Sequence, residues 1–185
     1  MKKWIIGLAV LLIGAQTACA EENWADLNKK VTDLYGQRKI TEAVPVAERA
    51  LKLAEKNYGP NAPEVSLSLN NLALLYKSQD RLADAEMMYE RALDIAEKVA
   101  GPDSPDLAVT LNNLALLRQA QGKNDEADRL YQRALSILEK AYGPNHVHVA
   151  SALDQYAAFE RKIGRGDRAS QHEIRATQIR AALKS

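Results

Sequence analysis

The chain repeats itself at a fixed spacing, and this period constrains the fold more than any other feature. The segment from Leu69 to Leu75, LNNLALL, recurs unchanged from Leu111 to Leu117. Three glycine-proline pairs recur at the same spacing: Gly59-Pro60, Gly101-Pro102 and Gly143-Pro144. A fixed period of this size, filled with helix formers, is typical of a solenoid built from helix pairs. Each unit must then bury its apolar faces against its neighbours.

Each period contains two stretches with the apolar pattern of a helix. In the second unit, apolar residues recur every three or four positions, first from Val65 to Tyr76 and again from Leu82 to Ile95. This spacing places them on one helical face. The glycine-proline pair ends the second helix, because glycine permits a left-handed cap and proline cannot continue a helix. In the third unit, Ser104 is predicted as an N-cap with Pro105 in the first turn.

The pattern predicts four helix pairs, or eight helices. The units cover residues 24–58, 63–100, 105–142 and 147–183 of one domain that spans 21–185. The first unit is degenerate but keeps apolar residues at the expected positions. The last unit ends in a helix from about Asp167 to Leu183, whose cations are either a docking patch for an acidic partner or the solvated face of a capping helix. Those cations are Arg168, Arg175, Arg180 and Lys184.

Residues 1–20 have the pattern of a bacterial export signal. A basic start precedes an uncharged apolar run from Trp4 to Ala15. A membrane-spanning helix needs about 20 apolar residues, which is more than this run supplies. Ala18-Cys19-Ala20 fits the A-x-A cleavage pattern, which would release a periplasmic or secreted protein.

Two alternatives to that cleavage remain open. Thr17-Ala18-Cys19 resembles the end of a lipobox, in which Cys19 would be lipidated and would anchor the protein to a membrane. Gln16 stands where that motif prefers Leu, Val or Ile. In the other alternative, the segment is an N-terminal helix that is never removed.

Composition argues against several classes of partner. The chain has 25 Lys and Arg and 24 Asp and Glu. Removal of residues 1–20 takes away Lys2 and Lys3, which leaves 23 cations against 24 anions and a net charge of −1. This charge balance does not favour nucleic acid or an anionic membrane as a partner. A membrane is expected as a partner only if Cys19 is lipidated. Because Cys19 is the only cysteine, no intramolecular disulfide can support the fold.

No motif in the chain indicates catalysis, a cofactor or a metal. A glycine-rich phosphate loop and an H-E-x-x-H motif are both absent from the sequence. His146 and His148 stand two apart at a predicted helix start, so we expect their side chains to point about 200° apart and not to share an ion. His172 is expected to be exposed on the last helix. The sequence therefore predicts a protein that is not an enzyme.

The repeats resemble the tetratricopeptide repeat from about Trp24 to Ala181. The specific likeness is to the 42-residue kinesin-light-chain-like subtype, through the L-N-N-L-A start, the A-x-x-x-Y-x-R-A-L second helix from Ala85 and again from Ala127, and the glycine-proline loop. The resemblance implies an all-α fold, a right-handed α-α superhelix of about four helix-turn-helix repeats. It also implies a protein-binding scaffold, without naming the partner.

In this family the first helix of each pair lines a concave groove. The positions on that surface predict a partner-binding groove lined by Leu67, Asn71, Leu74, Val109, Asn113, Leu116, Lys29 and Gln155. Amide side chains donate and accept at once, so a row of them could pair with the backbone of an extended peptide. The alternative is that the amides bond to neighbouring helices. Asn70 and Asn112, one position earlier on the same helices, are expected to stabilise the interface between repeats, and a role in the groove is the alternative.

Two roles follow from this arrangement. The first is a protein-interaction module of the bacterial cell envelope that holds an extended partner segment in the groove. The second is a structural or assembly subunit that docks through its end caps or convex face. A clamp for chaperone C-terminal carboxylates is not predicted, because only Asn71 matches among the corresponding positions. Those positions are Asn28, Thr32, Asn71, Val109 and Asn113.

Overall fold

The computed structural model describes residues 22–183, which form eight helices and no strand. The helices are α1 (Trp24–Gly36), α2 (Ile40–Tyr58), α3 (Pro63–Ser78), α4 (Leu82–Ala100), α5 (Leu107–Ala120), α6 (Asn124–Tyr142), α7 (Val147–Lys162) and α8 (Gly166–Ala182). The predicted export signal, including Cys19, and Lys184 lie outside the described residues. None of the helices between residues 22 and 183 is both long and apolar enough to cross a bilayer.

The helices stack as a one-dimensional series of pairs. Each helix packs against the next one in the chain, and each first helix also contacts the first helix of the following unit: α1 with α3, α3 with α5, and α5 with α7. The prediction of an all-α repeat solenoid is therefore confirmed. Of the first helices, α3, α5 and α7 position the candidate site.

Buried alanines recur at one position of the second helices and at one position of the first helices. Ala43, Ala85, Ala127 and Ala169 recur at the period of the sequence repeat, and all four are fully buried. Ala73, Ala115 and Ala157 are equally buried at the matching position of the first helices. A methyl side chain lets two helix backbones approach closely, so this position cannot accept a larger group without moving the helices apart.

The third unit begins later than predicted. Helix α5 starts at Leu107, two residues after Pro105. The hydroxyl of Ser104 accepts a hydrogen bond from the backbone N–H of Asp106 at 3.3 Å. Ser104 therefore closes a local turn, as serine commonly does in loops, instead of capping the helix.

The glycines of the Gly-Pro loops hold a backbone conformation that other residues rarely adopt. Gly101 has φ 87° and ψ 161°, and Gly59 and Gly143 have nearly the same angles. We expect Gly101→Ala to lower the free energy of unfolding by about 1–3 kcal/mol, because a Cβ is strained in this region. Gly166→Ala, at the start of α8, is the matched control and should be neutral or slightly stabilising. Urea denaturation of both variants checks this, and equal stabilities would contradict it.

Candidate functional site: a groove along the first helices

A groove of about 670 Å³ runs along α3, α5 and α7 and is bounded by the C-terminal ends of α4 and α6. Six of the eight predicted groove residues line it: Leu67, Asn71, Leu74, Val109, Asn113 and Gln155. Lys29 and Leu116 do not. Lys29 is exposed on α1, and Leu116 is half-buried against the aromatic residues around Tyr131.

The groove offers apolar surface and little charge. Val109 is 66% exposed and Leu67 is 48% exposed, although both are aliphatic. Val99 and Tyr142 contribute further exposed apolar surface from the ends of α4 and α6. Asp106 and His148 are the residues in the lining, apart from tyrosine, that can carry a charge. The lining suits a ligand that brings apolar groups and no net charge.

The amides of the predicted row differ in their partners. Asn71 Nδ2 donates to Asn28 Oδ1 across the boundary between the first and second units, at 3.0 Å. Asn113 and Gln155 make no side-chain hydrogen bond among residues 22–183. The alternative that amides bond to neighbouring helices therefore holds for Asn71. Asn113 and Gln155 keep their donors and acceptors for solvent or a ligand.

The neighbouring amide row also departs from a uniform pattern. Asn70 Nδ2 donates to Ser66 O at 3.0 Å and to Thr110 Oγ1 at 2.9 Å, which links the second unit to the third as expected. Asn112 forms no equivalent bond within the described part of the chain, and its Oδ1 is buried without a partner there. Both side chains line the groove. Of these two residues, only Asn70 makes the expected bond between repeats.

The two histidines near the groove lie closer together than predicted. The rings of His146 and His148 have centroids 4.9 Å apart, and Tyr142 stacks on His146 at 4.6 Å. His146 is the N-cap of α7, in extended backbone, and its Nδ1 accepts from the His148 N–H at 3.2 Å. The expected wide separation applies only when both residues are helical. Even so, residues 22–183 contain no group of three or more His, Cys, Asp or Glu that could hold a metal.

The cations of α8 are paired with carboxylates. Arg175 Nη1 lies 2.6 Å from Glu139 Oε1, Arg168 Nε lies 2.8 Å from Glu160 Oε1, and Arg180 pairs with Asp154. This pairing favours the capping interpretation over an acidic-partner patch. His172, expected to be exposed, is half-buried, because its ring packs on Tyr156 and its Nδ1 lies 2.9 Å from Glu160 Oε2.

Two buried charges were missed by the sequence reasoning. Arg118 is 9% exposed and Glu160 is fully buried. They stand one period apart, at the position that Tyr76 occupies in the second unit. A charged residue at an otherwise apolar position of the repeat was the signal that could have identified both.

The family model of the tetratricopeptide repeat matches residues 17–98, 67–140 and 106–182. The chain therefore belongs to the tetratricopeptide repeat family. Repeats of this family generally form non-catalytic scaffolds that bind protein partners. No curated protein sequence matches the chain.

Solved structures share this fold at low sequence identity. BtubC (BKLC) from P. vanneervenii has a TM-score of 0.75 at 24% identity, and the match covers 88% of this chain and 65% of that one. A Podosopora anserina putative kinesin light chain has a TM-score of 0.69 at 20% identity, covering 91% and 81%. MamA has a TM-score of 0.58 at 15% identity, covering 88% and 81%. Identities this low establish the fold and not a shared role.

Proposed function

We propose that the protein acts in the bacterial cell envelope and binds an extended segment of a partner protein in the groove. The observation that carries the proposal is the exposure of Leu67 and Val109 beside unpaired amides on a concave surface. Aliphatic side chains exposed together in a concavity gain free energy when a partner covers them. The amides of Asn113 and Gln155 would pair with the backbone of the segment, since an amide both donates and accepts.

The envelope location rests on the sequence of residues 1–20. Cleavage after Ala20 would leave Glu21 as the first residue and a periplasmic or secreted protein. Lipidation of Cys19 would instead make a membrane-anchored lipoprotein. Mass spectrometry of the N-terminus purified from envelope fractions distinguishes the two. An unprocessed Met1 in the cytoplasmic fraction would contradict the proposed location.

The groove proposal is tested by introducing carboxylates at its exposed aliphatic residues. We expect Leu67→Glu with Val109→Glu to abolish capture of a partner from envelope extract, because binding would bury carboxylates in an apolar contact. The matched control is Met87→Glu on α4, since Met87 is 63% exposed and does not line the groove. Asn113→Ala should weaken capture to a smaller extent.

Two outcomes of this test would reject the groove. The first is capture that survives Leu67→Glu with Val109→Glu. The second is capture that Met87→Glu removes equally. Either result would favour the assembly-subunit role, in which the convex face or the end caps make the contact.

A further inference from the structure

Four polar residues occupy one repeat position, and three of them have partners. The residues are Asn28, Asn70, Asn112 and Asp154, each one period after the one before. Asn28 Nδ2 donates to Trp24 O at 3.0 Å, and its Oδ1 accepts from Asn71. Asn70 bonds to Ser66 and Thr110, and Asp154 pairs with Arg180. Among residues 22–183, Asn112 is the member of this row without a polar partner.

The missing bond from Asn112 to the next unit follows from one residue in the next helix. Asn70 reaches the hydroxyl of Thr110 on the first helix of the following unit. The residue one period after Thr110 is Ala152, which has no hydroxyl and is itself buried. The position that would correspond to the Thr110 hydroxyl for the Asn112 amide is therefore the methyl group of Ala152. Asn112 lacks the link between units that Asn70 makes.

Asn112 is nevertheless built into the floor of the groove. Its side chain is only 7% exposed, it lines the groove, and its Oδ1 is enclosed without a donor. Its Nδ2 has no acceptor among residues 22–183 and is not enclosed. Water can satisfy this exposed Nδ2 in the free protein, but a segment that covers the groove displaces the water and must supply an acceptor in its place.

We propose that Asn112 is a partner-binding residue, whose Nδ2 donates to a main-chain carbonyl of the segment that occupies the groove. This inference rests on the proposed function and adds the location and chemistry of the contact. The occupant is an extended segment of a partner protein that presents apolar, uncharged side chains where it crosses α5. It lies beside Val109 and Asn113, the exposed aliphatic and the free amide of the same helix.

The charges of the groove select this occupant over an acidic one. No lysine or arginine of residues 22–183 lines the groove, so a carboxylate of the segment would lose hydration without gaining a cation. Asp106 offers a single carboxylate to a basic segment, at the start of α5. A main-chain carbonyl needs only a donor, and Asn112 supplies one whatever the sequence of the segment.

The test uses short peptides selected from a random display library against the chain expressed from its full sequence. The probe is the tightest clone whose binding Val109→Glu abolishes. The informative variants are Ala152→Thr and Ala152→Val, which have nearly the same shape. Only threonine supplies the acceptor that would occupy the Nδ2 of Asn112.

We expect Ala152→Thr to bind the probe about 3- to 10-fold more weakly than Ala152→Val, the effect of one lost hydrogen bond. Asn112→Ala should weaken binding to a similar extent. Asn70→Ala is the matched control and should change the affinity less than about twofold, because the donor of Asn70 is already in use.

The outcomes separate the two proposals. Equal affinities for Ala152→Thr and Ala152→Val, with no loss for Asn112→Ala, would overturn the role of Asn112 and leave the groove proposal intact. A library that yields no clone sensitive to Val109→Glu would reject the groove proposal itself, and with it this inference.

Discussion

Replacing Tyr131 with alanine is expected to lower the free energy of unfolding by about 3–5 kcal/mol, the range for truncating a buried aromatic residue. The Tyr131 side chain is 1% exposed. Its ring stacks on Tyr156 at 5.5 Å and packs on Phe159 at 5.1 Å, so it joins the third unit to the fourth. Alanine would leave a cavity between these units, which the fully buried Ala115 and Ala127 are too small to fill.

The hydroxyl of Tyr131 should contribute nothing to this loss. It is buried and has no hydrogen-bond partner among the described residues, and burial raises the pKa of the phenol. Tyr131→Phe removes the hydroxyl and keeps the ring, so we expect equal or slightly greater stability. Urea denaturation of both variants separates the ring from the hydroxyl. A loss above about 1 kcal/mol for Tyr131→Phe would mean that the hydroxyl has a partner after all.

The fold was predictable because packing in a solenoid repeats with the sequence. The alanines at 43, 85, 127 and 169 are fully buried in every unit, so their period reports their burial directly. Four helix pairs, their approximate ends and the location of six of the eight predicted groove residues follow from this regularity. The start of α5 does not, because the Ser104 hydroxyl competes for a backbone N–H within a few residues.

The polar contacts of the site were not predictable, because each depends on two units that differ. Asn71 bonds to Asn28, yet Asn113 makes no equivalent bond to Asn70. Asn70 has Thr110 as a partner, yet the residue one period after Thr110 is Ala152, which cannot accept a hydrogen bond from Asn112 through its side chain. A repeat motif gives each amide the same place, and the neighbouring unit decides whether it is satisfied. The sequence period alone therefore predicted one role for Asn71 and Asn113, and one role for Asn70 and Asn112, although the members of each pair differ in their hydrogen bonds.

The buried charges also distinguish one unit from the next. Arg118 Nε lies 3.1 Å from Glu126 Oε2 within the third unit. One repeat later Glu160 Oε1 lies 2.8 Å from Arg168 Nε, so the same pair of positions carries the opposite signs. In the second unit the first of these positions holds Tyr76. Arg118 also pairs with Glu86 and Glu90 of the second unit, so a fourth unit stacked there would place Glu160 against like charges, which favours a single stacking order.

We expect Arg118→Met to lower the free energy of unfolding at pH 7 by about 2–3 kcal/mol, somewhat less than the roughly 3–5 kcal/mol for removing one partner of a fully buried ion pair. Arg118 pairs with Glu86 and lies 2.8 Å from Glu90 Oε1, in addition to its contact with Glu126. The expected loss is smaller here, because the Glu90 and Glu126 side chains are about half exposed and can regain water. The matched control is Arg91→Met, whose single, partly exposed pair with Glu55 should contribute about 0–1 kcal/mol.

The loss at Arg118 should depend on pH in a defined direction. The hydrogen bond from Arg118 holds the pKa of the Glu86 carboxyl below its ordinary value of 4.5, against the opposing effect of burial. A carboxyl with a lowered folded-state pKa contributes its full stabilisation above the unfolded value and loses it as pH falls through the folded value. The difference in stability between the wild type and Arg118→Met should therefore be constant above about pH 5 and should shrink as pH falls below 4.5. Urea denaturation from about pH 3 to pH 7 measures this difference. A gap that stays constant down to the acid end of this range would show that Arg118 stabilises the fold by packing and not through the charge of Glu86.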